Sequence, residues 1–405
     1  MSKFFMSEKM VPVHSDIRGP LYVEAMKMQK QGTEVLKLNT GNPASFGFTM
    51  PDSVRRALTE NMDKAVAYCD FRGMPEAREA ICAYHRKKGT VHVSPDQIFI
   101  GNGVSELVSM VTAVVLHYGD EILIPSPSYS LWTNSAYIAG AKPIFYTCDE
   151  SSDWVPDLHD IQSKITPKTK ALVLINPNNP TGALYPREIL EQIVAIAKEH
   201  HLVLFSDEIY DRLLMDGKEH TSTSAVAQDD VVVITMNGLS KSHIICGFRC
   251  GWMMITGKPE EYDEIMQGMV KYTSMRLCGN ALTQLVIPAA LADHESTDAM
   301  MRPGGRLYEQ REATILEIAK IPQLSVVKNS AAFYVFPKID KKTCPIDDDR
   351  KFAMDLLHEK HILIVPASGF DYPGNDHFRI VMLPEPEILA GAVWEIGDFL
   401  SHYHS

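Results

Sequence analysis

Short apolar runs that end in polar turn residues recur along the first two thirds of the chain, at 98–100, 171–175, 202–205 and 231–235. Continuous apolar runs of this length, bounded by glycine, proline and asparagine, predict strands that are buried on both faces. Helical stretches alternate with these runs, as in the amphipathic segment from Ser105 onward. This alternation favours an α/β fold with a mainly parallel sheet.

The last part of the chain has a different pattern. A long helical stretch is expected around 306–319, and it is followed by shorter strand-like runs at 332–336, 362–365 and 378–382. This order predicts a smaller α+β domain, and we expect the segment before Pro51 to pack on it. The predicted divisions are an N-terminal arm with part of the small domain (1–50), a large ligand-binding domain (51–290) and a small C-terminal domain (291–405).

Composition narrows the possible classes of function. The 405 residues carry a formal net charge of −12, which disfavours nucleic-acid binding because phosphate backbones attract basic surfaces. The seven cysteines are scattered and contain no C-x-x-C pair, so we expect neither a disulfide framework nor a zinc site. The N-terminus lacks the apolar core of a signal peptide, and no apolar run approaches the roughly 18 residues that span a bilayer. These features favour a cytoplasmic protein.

Polar clusters follow several of the predicted strands, where α/β sheets bind their ligands. The first cluster runs from Gly101 to Glu106, between a strand and a helix. Glycines allow the backbone to approach a ligand, and a helix N-terminus offers free N–H groups to an anion. The alternative is an ordinary tight turn with Ser105 as the N-cap of the helix.

The second cluster is N-P-N-N-P-T-G, from Asn176 to Gly182, directly after a buried strand. A run with two prolines and a glycine has few conformations, so it can hold an amide side chain in one place. The alternative is a rigid turn without a ligand.

The third cluster begins with Asp207 and Glu208 at the end of the next strand and includes Tyr210. A carboxylate at a buried strand end needs a cationic partner, because unpaired burial is costly. That partner is either a ligand or, in the structural alternative, a nearby arginine.

The fourth cluster is Ser240-Lys241, with Arg249 eight positions after the lysine. A lysine at a strand-to-loop junction that excludes water can lose its proton and become a nucleophile. The guanidinium of Arg249 suits a phosphate. Considered alone, Lys241 would be a solvated surface residue.

Taken in order, these four clusters resemble the class I/II aminotransferases of fold type I. The resemblance covers nearly the whole chain, from Gly41 to Arg379. It implies an enzyme that depends on pyridoxal 5′-phosphate and transfers amino groups in a ping-pong cycle. It also implies that the large domain binds the cofactor.

The resemblance assigns the chemistry residue by residue. Lys241 matches the lysine that holds the cofactor as a Schiff base and then acts as general base. Asp207 matches the carboxylate that pairs with the pyridinium nitrogen. Asn179 and Tyr210 match the partners of the phenolic oxygen, and Tyr129 matches the aromatic side chain that stacks on the ring. For Tyr129, the structural alternative is core packing.

The same resemblance places the phosphate group. Val104, Ser105 and Arg249 match its contacts. Ser240 is a weaker candidate, because many relatives carry a serine three residues before the lysine and this chain has Gly238 there.

Three further residues match positions that bind substrate or the neighbouring subunit. Tyr68 matches a tyrosine that reaches the phosphate of the other subunit, which implies a homodimer. Arg379 matches the arginine that binds the substrate α-carboxylate, and a bidentate pair would fix its orientation. Gly41 would bring a backbone N–H to the same carboxylate, and Asn179 belongs to the substrate-binding set as well.

The substrate assignment rests on three segments. Arg18-Gly19-Pro20 resembles the R-G-P segment near the start of alanine aminotransferases, and the blocks 274–278 and 303–311 resemble the bacterial alanine-synthesising branch. These segments favour the exchange of L-alanine and 2-oxoglutarate with pyruvate and L-glutamate.

One pocket must then accept a methyl side chain in one half-reaction and a second carboxylate in the other. Our hypothesis is that Arg18, on a flexible N-terminal segment, binds that distal carboxylate, and Arg276 is the rival. Ser15 and Ser130 depart from the pattern of close relatives near the expected pocket. A broad aminotransferase for aromatic or branched amino acids is therefore the alternative.

Other classes explain less of the sequence. A cofactor-binding regulator would need a DNA-binding extension, for which there is no room before Arg18. A β-lyase or decarboxylase would use the same lysine and aspartate, and its products would distinguish it. No metal is expected, because His200 and His201 have the character of solvated surface residues.

Overall fold

The computed structural model describes residues 5–403. In this range the chain forms one eight-stranded sheet and three small sheets. The strands are β1 (Leu36–Lys37), β2 (Ile98–Asn102), β3 (Glu121–Ser126), β4 (Lys142–Asp149), β5 (Val155–Pro156), β6 (Thr169–Ile175), β7 (Val203–Asp207), β8 (Val233–Gly238), β9 (Cys250–Thr256), β10 (Leu324–Ser325), β11 (Tyr334–Val335), β12 (Lys338–Ile339), β13 (Ile362–Leu363), β14 (Val365–Pro366) and β15 (Phe378–Val381).

Helices pack around these sheets. Between residues 5 and 403 they are α1 (Pro20–Lys30), α2 (Asp52–Asn61), α3 (Pro75–Lys87), α4 (Val104–Val115), α5 (Leu131–Ala139), α6 (Leu158–Ser163), α7 (Arg187–Glu199), α8 (Thr223–Ala227), α9 (Pro259–Arg276), α10 (Ala281–Gln284), α11 (Ile287–Ala292), α12 (Glu295–Met301), α13 (Arg306–Ile318), α14 (Asp349–Lys360) and α15 (Pro386–His402). No helix of the described range is long and apolar enough to cross a lipid bilayer.

The large sheet has the strand order β2-β9-β8-β7-β6-β3-β4-β5. Its central strands, from β8 through β7, β6 and β3 to β4, are parallel, whereas β9, β2 and β5 pair antiparallel at the two ends. The predicted α/β class with a mainly parallel sheet is confirmed. Because the carboxyl ends of parallel strands meet at one edge, this topology gathers the loops that follow β6, β7 and β8.

The apolar runs are continuous because helices cover both faces of the sheet. In β6, Leu172 and Leu174 pack in a cluster with Leu190 and Ile193 of α7. Val173 and Ile175, the alternate residues of the same strand, pack in a second cluster with α4 and α5. Side chains of a strand alternate between faces, so a strand covered on both sides needs apolar residues at every position.

The C-terminal part has its own core. The helix expected at 306–319 forms at Arg306–Ile318, and the predicted short strands appear as β11, β13, β14 and β15. β15 lies between β11 and β14 in an antiparallel sheet. Leu38, from the N-terminal segment, is buried in the C-terminal cluster, and β1 pairs with β13. The domain limits at 51 and 290 stay a prediction.

Candidate active site

A cavity of about 640 Å³ lies at the carboxyl edge of the large sheet, against the N-terminal segment and β15. It brings together most of the residues singled out in the sequence, which come from nine separate stretches of the chain. The lining includes Arg18, Gly41, Val104, Ser105, Tyr129, Asn179, Asp207, Tyr210, Ser240, Lys241, Arg249 and Arg379.

Asp207 ends β7 and is buried at the wall of this cavity. Its Oδ2 accepts a hydrogen bond from Nε1 of Trp132 at 3.2 Å, and its Oδ1 accepts one from the backbone N–H of Ile209 at 3.3 Å. Burial raises the pKa of Asp207 to about 6, because both donors together offset only part of the lost hydration. No basic side chain within residues 5–403 forms an ion pair with Asp207, so the structural alternative of an arginine partner is wrong.

Lys241 lies in the loop that follows β8, and its side chain is half-buried at the cavity. Its Nζ donates a hydrogen bond to the carbonyl oxygen of Gly41 at 2.8 Å and lies 5.7 Å from the ring centre of Phe333. No carboxylate of the described chain pairs with it. The amine is thus held towards the cavity by a neutral acceptor instead of an ion pair.

Arg379, on β15, is only 1% exposed. Its Nη1 donates to Oδ1 of Asn179 at 2.9 Å, and its Nη2 donates to the carbonyl oxygen of Asn39. The guanidinium lies 4.6 Å from the ring centre of Tyr334 and 4.8 Å from that of Phe370. Its Nε has no hydrogen-bond partner within residues 5–403. A buried guanidinium with only neutral neighbours is a site for a carboxylate, because an unpaired buried charge is costly.

The N-terminus of α4 forms an anion-binding corner of the cavity. Gly103, with φ of 83°, occupies the N-cap position and offers no side-chain cap, so the alternative interpretation of Ser105 as the N-cap is wrong. The guanidinium of Arg249 lies so close to Gly103 that a Cβ there would collide with it. Its Nη1 donates to the carbonyl oxygen of Cys246 at 3.0 Å and to Oγ of Ser240 at 3.4 Å. Free backbone N–H groups and a guanidinium together suit a phosphate.

The loop after β6 is held by its own side chains. Oδ1 of Asn178 accepts hydrogen bonds from the backbone N–H of Thr181 at 3.3 Å and from its hydroxyl at 3.0 Å. This turn places Asn179 beside Arg379. Across the cavity, the hydroxyl groups of Tyr210 and Tyr334 lie 2.8 Å apart, and burial raises the pKa of Tyr210 well above 10.0. Tyr210 therefore stays protonated and can donate a hydrogen bond.

The N-terminal segment closes one side of the cavity with Ser15, Arg18 and Gly41. A Cβ at Gly41 would collide with the hydroxyl of Tyr334 and the ring of Phe333, so a larger residue here would displace these side chains. Arg18 is exposed, and no hydrogen bond or ion pair holds its guanidinium within the described range.

The structure places three other candidates away from the cavity. Nη1 of Arg276 lies 2.5 Å from Oε2 of Glu106, and its Nη2 donates to two backbone carbonyls, so this cation is already paired. Tyr68 is 80% exposed and does not line the cavity of its own chain. Ser130 is buried at the start of α5 and does not reach the cavity.

The sequence profile of the family described as "Aminotransferase class I and II" matches residues 33–392. This chain belongs to the class I and II aminotransferases.

Within this family, the chain is similar over its full length to enzymes named for glutamate, pyruvate and alanine. It is 45% identical over 404 residues to the glutamate-pyruvate aminotransferase AlaA of Escherichia coli K12, covering 100% of both chains. It is 43% identical over 401 residues to the alanine aminotransferase of Mycobacterium tuberculosis H37Rv, covering 99% of this chain and 93% of the relative.

Solved structures show the same fold. An aminotransferase from Escherichia coli superimposes with a TM-score of 0.98 at 45% identity, covering 100% of both chains. The alanine aminotransferase of Pyrococcus furiosus superimposes with a TM-score of 0.93 at 36% identity, covering 98% of this chain and 100% of the other.

Class I and II aminotransferases use pyridoxal 5′-phosphate, and the cavity of this aminotransferase fits that group. Asp207 is a buried carboxylate without a cation, as a pyridinium nitrogen requires. The α4 N-terminus and Arg249 offer donors to a phosphate, and Lys241 presents an amine to the same cavity.

Sequence reasoning missed several residues of this site. Trp132 holds Asp207, Tyr334 contacts both Tyr210 and Arg379, and Asn39 accepts a bond from Arg379. Trp132 lies three residues after Tyr129, which the resemblance had already assigned to the site, so its proximity in sequence was the available signal. Asn39 and Tyr334 stand in ordinary sequence contexts and reach the cavity only through the tertiary fold.

A group of three possible metal ligands consists of Glu208 and Asp211, in the loop after β7, and His220. Nζ of Lys88 lies 2.5 Å from Oδ2 of Asp211 and 2.8 Å from Nδ1 of His220. The ammonium group therefore occupies the position that a cation would take.

Proposed function

We propose that this aminotransferase interconverts L-alanine and 2-oxoglutarate with pyruvate and L-glutamate. The observation that carries the proposal is the pair of arginines at the cavity. Arg379 is buried with neutral partners, and Arg18 is exposed at the mouth without a partner in the described chain. The first fits the α-carboxylate of every substrate, and the second fits the distal carboxylate that only glutamate and 2-oxoglutarate carry. The full-length similarity to glutamate-pyruvate aminotransferase AlaA supports the same substrates.

Pyridoxal 5′-phosphate, when bound, supplies the electron sink for the reaction at the substrate Cα. In this proposal Val104, Ser105, Ser240 and Arg249 hold its phosphate, through backbone N–H groups, hydroxyls and a guanidinium. The aromatic face of Tyr129 packs against its ring.

The polar groups of the ring have their own partners. Asp207 would accept a hydrogen bond from the ring nitrogen, and its carboxylate form would keep that nitrogen protonated. Asn179 and Tyr210 bind the phenolic oxygen, and the donor character of Tyr210 follows from its raised pKa. The three side chains come from β7 and from the loops after β6 and β7, so the sheet fixes their relative positions.

Lys241 is the general base in this proposal. Its Nζ would take up the proton of the substrate Cα and release it again within the cavity, and it would move a proton in the opposite direction in the second half-reaction. The 2.8 Å hydrogen bond to the carbonyl of Gly41 holds the amine beside the residue whose N–H, in this proposal, contacts the substrate α-carboxylate. A neutral acceptor suits this role, because a carboxylate partner would favour the protonated and unreactive form.

Arg379 binds the substrate α-carboxylate in this scheme, and the backbone N–H of Gly41 supports it. Asn179, through its 2.9 Å hydrogen bond, sets the plane of the guanidinium. Binding by a fixed, planar, bidentate group aligns the Cα–H bond with Lys241. Tyr334 packs closely against Gly41, which leaves no space for a side chain at position 41 unless Tyr334 moves.

Arg18 accounts for the double substrate range. No described residue holds the guanidinium of Arg18, so it can move. It can bind the distal carboxylate of glutamate or 2-oxoglutarate and move away when the substrate carries only a methyl group. Arg276 is less suited, because Glu106 already neutralises it. Ser15 lines the same wall, and its small side chain leaves room for larger substrates.

We also propose a homodimer in the cytoplasm. Tyr68 and Val66 are 80% and 86% exposed, which is unusual for neighbouring apolar side chains in a soluble monomer. A two-fold partner would cover them and bring Tyr68 to the phosphate of the other subunit's site.

A half-reaction titration of the purified holoenzyme tests the proposed function. L-Alanine and L-glutamate are added in separate experiments while the visible absorbance of the bound cofactor is followed. We expect both to remove the band and pyruvate to restore it. A response to glutamate and aromatic amino acids without one to alanine would contradict the alanine assignment and leave the aminotransferase family assignment intact.

A further inference from the structure

His377 directly precedes β15 and lies two residues before Arg379, with its imidazole fully buried. Its Nδ1 lies 2.8 Å from Oδ1 of Asp376, and its Nε2 lies 3.4 Å from Oε1 of Glu150. The first contact is a hydrogen bond. The second is an ion-pair contact, and Nε2 has no hydrogen-bond partner in the described chain. An imidazole between two carboxylates is stabilised in its protonated form.

Aromatic rings enclose this imidazole. The ring of Phe336 stacks on it with centroids 4.9 Å apart and an angle of 21° between the planes. Trp154 and Tyr372 meet it edge-on, with centroids at 5.3 and 5.2 Å. An aromatic face attracts a cation, so this cage also favours the imidazolium.

Both interactions act on the protonation of His377. Burial on its own lowers the pKa of His377, but the contacts with Asp376 and Glu150 outweigh it and raise the pKa above its ordinary value of 6.5. Other charged and titratable groups face the cluster, including Lys341 near Asp376 and Asp149 near Tyr372. Nζ of Lys338 lies 2.5 Å from Oε2 of Glu150, and the pKa of Tyr372 is raised to about 12 by burial, so its hydroxyl is neutral.

The cluster joins the two parts of the fold. Glu150 directly follows β4 of the eight-stranded sheet. His377 and Lys338 belong to the C-terminal part, where an isolated bridge links them. One carboxylate from the large sheet thus receives two cations from the small sheets. This joint lies at the start of the strand that carries Arg379.

A continuous set of contacts runs from the joint to the guanidinium. Phe336, which stacks on His377, meets Phe370 with centroids 6.0 Å apart. The ring centre of Phe370 in turn lies 4.8 Å from the guanidinium carbon of Arg379. Because side chains of a strand alternate, His377 and Arg379 also lie on the same face of the β15 segment. The imidazole and the guanidinium are therefore connected along one strand segment and through two packed rings.

We propose that His377, held by Glu150 and Asp376, is a positioning residue that fixes Arg379 for the substrate α-carboxylate. The inference rests on the proposed role of Arg379 and not on the choice of alanine, since every amino acid and 2-oxo acid substrate carries that carboxylate. The imidazolium ties the start of β15 to Glu150. Loss of its charge weakens this tie and lets Arg379 leave the geometry in which it binds.

The pH dependence has a definite sign. The pKa of His377 is higher in the folded protein than its ordinary value of 6.5. The stabilisation that the imidazolium provides is therefore complete below pH 6.5, and it is lost as the pH rises through the pKa of the folded protein. Substrate binding should therefore weaken as the pH rises through the pKa that His377 has in the folded protein. The Glu150 and Asp376 carboxylates, whose pKa values are lowered, stay ionised throughout this range.

The test uses His377→Gln in the holoenzyme. We expect the KM values of the amino acid and of the 2-oxo acid to rise roughly five-fold or more, with a smaller change in kcat, because the carboxylate contact is made before the chemical step. The wild-type KM should rise with pH, and the variant's KM should lose that dependence. His159→Gln, the same change at an exposed histidine, should match the wild type.

A second measurement keeps the proposal open to refutation if the variant folds poorly. Titration of the ¹⁵N-labelled imidazoles by NMR should place the pKa of His377 above 6.5, and Glu150→Gln should lower it and raise both KM values. The inference would be overturned if His377→Gln had wild-type kinetics, or if Glu150→Gln left the pKa of His377 unchanged. A wild-type enzyme that uses other amino acids but not alanine would remove only the alanine assignment, because the His377 comparison can be made with any accepted substrate.

Discussion

Trp132 donates a hydrogen bond from its indole Nε1 to Oδ2 of Asp207 at 3.2 Å, from a position where the indole is fully buried. The indole belongs to α5 and the carboxylate to the end of β7, so a helix from one face of the sheet fixes the orientation of a side chain at its edge. This bond also lowers the pKa of Asp207, against the larger effect of burial. The charge of the carboxylate in the cavity therefore depends on a residue outside it.

Replacing the indole by a ring without a donor should impair the enzyme. In Trp132→Phe the pKa of Asp207 should rise further above about 6. We expect kcat/KM at neutral pH to fall about ten-fold, since a hydrogen bond to a charged group contributes about 1.5 kcal/mol, with a steeper loss on acidification. The pH profile of kcat/KM measures both effects. Trp394→Phe, at a side chain that is 57% exposed, is the control, and equal profiles for the two variants would contradict the prediction.

Asp207 should destabilise the cofactor-free protein at neutral pH. Its pKa is raised from 3.8 to about 6, so the folded protein binds the proton more tightly than the unfolded chain does. Stability from this group is present at low pH and is lost as pH rises through about 6, by up to about 3 kcal/mol. Asp207→Asn should therefore stabilise the cofactor-free protein at pH 7 by about 1–3 kcal/mol, less the hydrogen bond that the amide cannot accept.

The same variant should lose most of its activity, since an amide cannot keep a ring nitrogen protonated. Denaturant unfolding of the cofactor-free protein at pH 5 and pH 7 measures the stability change, with the exposed Asp153→Asn as control. A stability difference that does not grow between these pH values would show that the charge of Asp207 is not its cause.

Arg18 should discriminate between the two amino acids. In Arg18→Ala we expect the KM values for L-glutamate and 2-oxoglutarate to rise about ten-fold, while the KM for L-alanine stays within about two-fold, because only the first two have a distal carboxylate. Arg276→Ala is the informative comparison, since it breaks the 2.5 Å pair with Glu106 outside the cavity. An unchanged KM for 2-oxoglutarate in Arg18→Ala would refute the assignment of Arg18.

Mixed dimers should recover activity if Tyr68 acts across an interface. Lys241→Ala should be inactive, because the general base is gone, and Tyr68→Ala should bind the cofactor weakly. In a mixed dimer, the subunit with Lys241 receives Tyr68 from its partner, so one site is complete. Refolding the two variants together should give about a quarter of the wild-type activity at subsaturating cofactor. Recovery no greater than the average of the separate variants would place Tyr68 outside the neighbouring site.

The strands of the large sheet could be predicted because each carries its own signal. Val173 and Leu174 of β6 face opposite helical layers. A strand that is buried on both sides needs apolar residues at every position, so it is visible in the sequence as an unbroken apolar run. The short strands of the C-terminal part were predicted at roughly correct places, but their pairing was not. β1 is only two residues long, and its parallel partner β13 lies more than 300 residues away. No local pattern encodes such a pairing.

The sequence by itself determined the family and the identity of the chemical groups, because motifs such as N-P-N-N-P-T-G and S-K keep reactive side chains on turns whose geometry is locally defined. Tertiary structure alone decided their partners. It paired Arg276 with Glu106, left Arg379 and Asp207 without opposite charges, and set Trp132 and His377 behind them. Charge pairing depends on distances of a few ångströms between segments that are remote in sequence, and only the packed fold sets those distances.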